Sequence, residues 1–421
     1  MTFAAGMLLA STLFGACGRM SEVMASSEPR VPATEPQLRL IWYRELAGLS
    51  SSSSAVVAVD QGKDGSLRQI AVSAIGDGIR SKGLTYALRP DGTTGAMLRA
   101  PLSSRKDHAF GRGLAFGGPA GRLIVSEMSF DPMSGEDTYL WSYAMDGHER
   151  QELVLPFRLG CGSRILPCPD LDNDSFGELL LACDSGILEA SSVRVLSGRN
   201  METLLTCYAP REPKLDVFGF AMCTVGDYDG DTIPDILVAG RNTESRVEWG
   251  CAFSTGSGSP LHSVALWAGY SNLRTQQLLG VTEESPMPAL IAIGHADGVA
   301  AIRRIDIGQG ATSWERHFEV YDWDECVHVF AAPDLLLDGS PDVLLLYCDH
   351  DRGLSARVLD QRTGALVAEF DKIGPVVGPG FSAAAVLVGQ SMQVVVASPY
   401  GTADGASGHG SGVWMYSVSC R

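Results

Sequence analysis

Past residue 37 the chain alternates short apolar runs with polar turns, and the runs have strand rather than helix length. Asp235–Ala239, Val193–Ser197 and Met392–Ala397 are β-rich, and Gly, Asn or Asp turns bound them. No long amphipathic helical pattern interrupts the series. The order then repeats. In residues 218–240, FGFAMCTVGDYDGDTIPDILVAG, a short strand leads into an acidic loop and an apolar strand, and a polar turn with another strand follows. The same order runs through GCGSRILPCPDLDNDSFGELLLAC with SSVRVLSGRNMETLL, and through CVHVFAAPDLLLDGSPDVLLLYC with SARVLDQRTGALVAEF. Copies that begin near residues 55, 110 and 277 have lost most of the acids, and a last one starts at FSAAAVLVGQ.

The count is about seven at a period of roughly 50 to 58 residues, the size of a four-stranded propeller blade. The final copy stops before its outer strand, whereas Leu38–Tyr43 is a strand without a blade. Pairing the two would close the ring and remove its open edges. A stack of β-sandwiches is the alternative. One pseudo-repeating unit over 38–421, with no Pro/Ser-rich linker inside it, argues for a single closed domain.

Composition supports many short elements with a large core. The 48 glycines and 21 prolines are spread along the chain, and 45% of residues are hydrophobic. Lys and Arg total 32 against 49 Asp and Glu, a net charge of −17, which speaks against nucleic acid or an anionic membrane surface as partner. Cations suit it better. The apolar run Phe3–Ala16 falls short of the roughly 18 residues of a spanning helix and ends on small residues beside Cys17. Residues 1–17 therefore read as an export signal. Leu13-Phe14-Gly15-Ala16-Cys17 resembles a bacterial lipoprotein signal, which implies lipidation of Cys17 and an anchor in the cell envelope; an ordinary cleaved signal is the alternative. Residues 18–37 read as a flexible tether.

Ten cysteines suit an oxidising compartment. Cys161 and Cys183 share the spacing of Cys326 and Cys348, and each pair brackets an acidic loop and a strand ending in LLLAC or LLLYC. Equivalent disulfides in two repeats are expected. Cys223 with Cys251 and Cys168 with Cys207 are weaker pairings, since spacing does not fix connectivity. A zinc site lacks any CxxC pair.

Asp227, Asp229, Asp231 and Asp235 occupy positions 1, 3, 5 and 9 of one loop, and Asp170, Asp172, Asp174 and Glu178 repeat that spacing. Alternate carboxylates converge on one side, with backbone carbonyls near Ile233 and Phe176 completing an oxygen shell suited to Ca²⁺. An EF-hand would need a Glu at position 12, where Val238 and Leu181 stand in apolar strands. Asp334, Asp338 and Asp342 keep three positions, but Leu336 replaces the second acid, so weak binding or none is expected there. Phe218-Gly219 followed by Gly226–Asp231 and Asp235–Val238 resembles the FG-GAP/VCBS repeats of integrin α-chain propellers and bacterial surface proteins. Phe110-Gly111 with Gly117–Pro119, and Ala397–Tyr400, echo weaker parts of the pattern. The resemblance implies an all-β fold, a single seven-bladed propeller of four-stranded antiparallel blades. It also implies structural calcium clamping a hairpin within a blade.

No catalytic constellation emerges. His295, His317, His328 and His350 fall in neighbouring repeats, and GHGSG at 408–412 lacks a nucleophile-elbow or phosphate-loop context. Six tryptophans, Trp141, Trp249, Trp267, Trp314, Trp323 and Trp414, would stack on sugars if exposed, although packing between blades is their commoner fate. The expected function is a non-enzymatic, calcium-stabilised scaffold at the bacterial surface or in the periplasm that binds a protein or glycan. A polysaccharide lyase-like propeller and a purely structural envelope protein are the alternatives.

Overall fold

A computed structural model describes residues 36–46, 55–62, 64–75, 83–99, 108–117, 121–129, 137–144, 150–158, 164–183, 191–267, 273–281, 289–296, 298–320, 327–335, 338–349, 353–371, 373, 381–398 and 412–419. The signal, Cys17 and nearly all of the tether lie outside them.

The described residues form seven four-stranded antiparallel sheets. Blade one is β2 (Ala55–Gln61), β3 (Leu67–Ala74), β4 (Leu84–Leu88) and β5 (Thr94–Arg99), and blade two is β6 (His108–Gly117), β7 (Arg122–Ser129), β8 (Asp137–Tyr143) and β9 (Arg150–Arg158). Blade three is β10 (Ile165–Pro167), β11 (Leu179–Cys183), β12 (Ser192–Leu196) and β13 (Thr203–Tyr208), and blade four is β14 (Val217–Thr224), β15 (Ile236–Arg241), β16 (Glu248–Phe253) and β17 (Pro260–Ala265). Blade five is β18 (Arg274–Val281), β19 (Ala289–Ala296), β20 (Val299–Asp306) and β21 (Ala311–Glu319), and blade six is β22 (Val327–Ala332), β23 (Asp342–Cys348), β24 (Leu354–Asp360) and β25 (Leu366–Phe370). Blade seven takes β26 (Ser382–Val388), β27 (Ser391–Ser398) and β28 (Gly412–Ser419) from the C-terminal end, and its outer strand is β1 (Gln37–Glu45).

The hydrophobic pattern follows from position in the blade. Second strands are covered on both faces by neighbouring blades, so they lose alternation: every residue of β11 and of β23 is buried. The outer strands β13 and β25 are mostly part-exposed. Core clusters sit between blades rather than inside them. One joins Ala71 of blade one to Phe110 and Val125 of blade two, and another joins Val395 and Met415 of blade seven to Ile70 and Val72 of blade one. The chain of clusters therefore closes on itself.

The Phe-Gly pairs make close blade contact. Phe110 and Phe218 are buried, and the following Gly111 and Gly219 have φ of 88° and 92°. A Cβ on Gly111 would stand 1.7 Å from Ser73 Oγ of blade one.

Ring closure takes the expected form. β1 runs antiparallel to β28 from Gln37 opposite Ser419 to Glu45 opposite Gly412, with a bulge at Ile41. Trp42 Nε1 donates to the Pro90 carbonyl at 2.8 Å, Arg44 Nε donates to the Gly92 carbonyl at 3.1 Å, and the indole covers Gly92 of blade one. Trp314 and Arg316 on β21 repeat this grip, reaching the Gln361 and Gly364 carbonyls of blade six at 2.9 Å each. β1 thus does for blade seven what β21 does for blade five.

Two expected disulfides are corrected. Cys223, Cys251, Cys168 and Cys207 carry free thiols. β15 separates Cys223 from Cys251, about 10 Å at two strand spacings, and Cys168 and Cys207 lie further apart across blade three, beyond the roughly 7 Å Cα limit of a disulfide. Burial pushes the thiols of Cys168, Cys207 and Cys223 up to about 12, which makes them poor nucleophiles. Cys161 and Cys326 lie outside the described residues. The Cys183 thiol is free, 3.9 Å from the Leu181 carbonyl, so the Cys161–Cys183 pairing finds no support at that end.

Deleting residues 1–45 removes β1, and the expected outcome is aggregation or a melting temperature lower by at least about 10 °C, read by circular dichroism. An unchanged melting curve would refute closure by β1. Gly111→Ala should destabilise by about 2–4 kcal/mol in denaturant melts, from the left-handed backbone and the Ser73 overlap. Gly226→Ala, where a Cβ meets nothing within 4 Å, serves as control.

Candidate functional site

The acidic loops join first strands to second strands, β10 to β11 and β14 to β15, on the same face of the ring. Their shape comes from their own carboxylates. In the first loop Asp170 accepts from the amides of Asp174 at 3.1 Å and Ser175 at 2.8 Å, and Asp174 accepts from Phe176 at 2.9 Å. In the second, Asp227 accepts from Asp231 at 3.1 Å and Thr232 at 2.7 Å, and Asp231 accepts from Ile233 at 2.8 Å. Position 6 is left-handed in both, Ser175 at φ 75° and Thr232 at φ 74°, a conformation that costs an L-residue about 1–2 kcal/mol. The position 1 carboxylate holds it there by accepting that residue's N–H.

The carboxylates of Asp170, Asp172, Asp174 and Glu178 bring one oxygen each within 4.8 Å of one another. Glu178 is fully buried; its Oε2 accepts from the Leu171 amide at 2.5 Å, and its Oε1 has no hydrogen-bond partner. Burial pushes its carboxyl up to about 7; the Leu171 amide opposes that shift and the charges of Asp172, Asp170 and Asp174 add to it. These groups fit a hard divalent cation: an all-carboxylate donor set in which one buried Glu178 oxygen has no hydrogen-bond partner.

Asp227, Asp229 and Asp235 form the second group, within the same 4.8 Å. Asp231 is not part of it, and its Oδ2 lies against the β16–β17 turn, 2.5 Å from where a Cβ on Gly256 would stand. Asp235 is buried and uses both oxygens, accepting from Tyr228 at 2.8 Å and Thr255 at 3.2 Å. Burial raises its carboxyl, the two amides lower it, and Asp229 and Asp231 raise it further.

The loop of blade six keeps the same bonds without the same chemistry. Asp334 accepts from Asp338 at 3.0 Å and Gly339 at 2.8 Å, Asp338 from Ser340 at 3.0 Å, and Asp342 from Leu335 at 2.7 Å. Leu336 lies outside the described residues, and the three acids form no convergent group among those described. In blade one Arg68 stands where position 9 carries an acid. Its Nε comes within 2.5 Å of where a Cβ on Gly62 would be; burial raises the Asp60 carboxyl against the charge of Arg68, whereas the Ser66 hydroxyl and amide hold Asp64 low with Arg68 adding to them.

Four of the tryptophans named from sequence, Trp141, Trp267, Trp314 and Trp414, are buried; Trp249 is half-buried and Trp323 lies outside the described residues. The histidines do not converge. His295 is buried on a second strand, His317 contacts Glu315 at 2.6 Å on an outer strand, and His328 faces the axis; His350 and 408–411 lie outside the described residues.

The inner strands of all seven blades enclose an axial cavity of about 960 Å³. Its wall is Ala, Val and Phe for the most part, with Arg112 of β6, Arg164 just before β10, Gln276 and Gln277 of β18, and His328 of β22. No Asp or Glu lines it among the described residues. Burial pushes His328 down to about 4; the Phe381 carbonyl at 3.2 Å opposes this, and the charge of Arg164 adds to it. Arg112, Arg164 and Gln276 were not among the sequence candidates. The only signal was their polarity on otherwise apolar inner strands.

The described architecture is that of a seven-bladed β-propeller, and a solved propeller agrees on the fold. The chain is similar to the Dos1 propeller at a TM-score of 0.50 and 10% identity, over 90% of this chain and 95% of that one. AofleA from Arthrobotrys oligospora aligns at a TM-score of 0.47 and 10% identity, over 84% of this chain and 93% of that one. No family model matches the sequence. No curated protein matches it either.

The acid titration gives a test without metal. The folded value of Glu178, about 7, lies above the ordinary 4.5, so the fold binds an extra proton between them and metal-free stability should fall as pH rises from about 4.5 to about 7. Glu178→Gln should flatten that fall in denaturant melts run in chelator. Coincident pH profiles for the two proteins would refute it.

Proposed function

We propose that the chain is a calcium-clamped, non-enzymatic propeller scaffold of the FG-GAP/VCBS kind, exported to the bacterial envelope, where it binds a protein or glycan ligand. The observation that carries the calcium reading is the Glu178 carboxylate, fully buried with one oxygen unpartnered among Asp170, Asp172 and Asp174. A buried carboxylate without a counter-charge is costly, and a divalent cation offsets that cost. Oxygen-only donors favour Ca²⁺ over zinc or copper. Asp227, Asp229 and Asp235 would hold a second ion, with Asp231 and the Ile233 carbonyl completing it after the Asp231 side chain turns inward. Bound calcium would tie the first strand of a blade to the second.

A scaffold is favoured over a lyase by the state of the axial histidine. A general base works best with its pKa near the working pH, and His328 is held near 4 beside Arg164. The buried tryptophans also leave fewer sugar platforms on the surface than the sequence offered.

Calcium should raise the melting temperature saturably, each site contributing about 2.7 kcal/mol at a hundredfold excess over its Kd. Asp172→Ala with Asp229→Ala should remove most of this gain, as read by calorimetry with and without chelator. Equal melting curves in calcium and in chelator would overturn the metal reading. A glycan array and a pull-down with the full chain test the binding role.

A further inference from the structure

The seam leaves blade seven open at one end. In blade five, β20 and β21 stop pairing at Asp306 and Ala311, and the chain turns there through residues 307–310. Trp42 and Arg44 hold the register of Trp314 and Arg316, so Arg39 opposite Ser417 stands where Ala311 stands opposite Asp306. No turn joins β28 to β1, which lie at opposite ends of the strand order. The two strands therefore run on, pairing Leu38 with Val418 and Gln37 with Ser419, past the point where blade five has closed. Ser417 and Ser419 follow Met415 at alternate positions, and cross-strand partners share a face. The added length thus carries polar side chains on the face of blade seven whose Val395 and Met415 pack on blade one.

Gln37, Arg39, Ser417 and Ser419 line a groove of about 420 Å³ with Ile41, a volume within the range of small-ligand sites. Among the described residues none of these four polar side chains makes a hydrogen bond or ion pair, and no Asp or Glu lines the groove. The free groups are mostly donors: a guanidinium, two hydroxyls and an amide. They call for an oxyanion, in a chain whose net charge is −17. A guanidinium fork uses both oxygens of a planar carboxylate and leaves the hydroxyls idle, whereas a tetrahedral ester presents them a third oxygen. One arginine balances the single charge of a sulfate ester. The second charge of a phosphate ester would face the acidic chain uncompensated. Ile41, set out by the bulge and 44% exposed, is the one apolar residue of the wall, which favours a hydroxylated sugar ring over an aromatic one as bearer of the ester.

We infer that the groove at the seam binds a sulfated sugar, its sulfate ester on Arg39, Ser417 and Ser419 and a ring hydroxyl on the Gln37 amide. This deepens the glycan side of the proposed binding role and rests on it, but not on calcium, because no acidic-loop residue lines the groove.

Isothermal titration calorimetry of the full chain with glucose 6-sulfate, glucose 6-phosphate, glucuronate and inorganic sulfate tests it, in calcium and again in chelator. Glucose 6-sulfate should saturate a single site, with each of the other three about tenfold weaker or more. Arg39→Gln should weaken glucose 6-sulfate about tenfold or more without moving the melting temperature, because the side chain holds nothing else among the described residues. If the Arg39→Gln chain does not fold, Arg39→Lys, which keeps the charge and loses the fork, should still weaken binding. Ser417→Ala with Ser419→Ala should erase the preference over glucuronate. Absence of saturable glucose 6-sulfate binding by the folded chain, binding that survives Arg39→Gln, or inorganic sulfate binding as tightly would each overturn the assignment. A glycan array on which only unsulfated glycans bind would overturn it and leave the binding role standing, whereas a blank array would sink both. Failure of the calcium reading appears separately, in the melting curves.

Discussion

The pairing of β1 with β28 is the constraint on which the ring depends. Each interblade cluster needs a neighbour on both sides, and the cluster between blades seven and one forms only when the two chain ends meet. Without that seam the outer edge of blade seven would show unpaired backbone groups. The seam is reinforced as an ordinary blade junction is. Trp42 and Arg44 grip the turn of blade one through the same two bonds that Trp314 and Arg316 make to blade six. Closure therefore uses contact between side chains and turns as well as strand pairing. A strand from the start of the chain meets the geometric demands of an outer strand.

With the blades fixed, the first-to-second strand loops become rigid supports. The acids at positions 1, 5 and 9 bond the loop's own amides in blades three, four and six alike. Asp and Gly persist in blade six because they shape the turn, whatever happens at position 3. On the proposed calcium reading, the groups that the amides leave over would hold the metal. Asp172 and Asp229 each accept from a single amide, and Glu178 leaves one buried oxygen without a hydrogen-bond partner.

Much of this was legible in the sequence, for a physical reason. Second strands are buried on both faces, so LLLAC and VLLLYC stand out as unbroken apolar runs, and their recurrence gave the blade count. The missing outer strand of the last copy pointed to Leu38–Tyr43. Spacing also brought Asp170, Asp172, Asp174 and Glu178 together correctly. It failed for Asp231, whose orientation depends on the β16–β17 turn, and for the pairings Cys223–Cys251 and Cys168–Cys207, which ignore how many strands lie between. Arg112, Arg164 and Gln276 could not be grouped in advance, because they come from three different blades and line one cavity only once the ring is formed.

Arg68 shows another way to fill such a loop. Its guanidinium stands among Asp60 and Asp64 as a cation covalently bound to the chain, so no chelator can strip it and no dilution can empty it. Blade one, next to the seam, thus carries a permanent counter-charge, while on the proposed calcium reading blades three and four on the far side of the ring would rely on what the surrounding fluid supplies. On that reading the two sides of the propeller would soften unequally in ion-poor surroundings, and the wall opposite the seam would yield first.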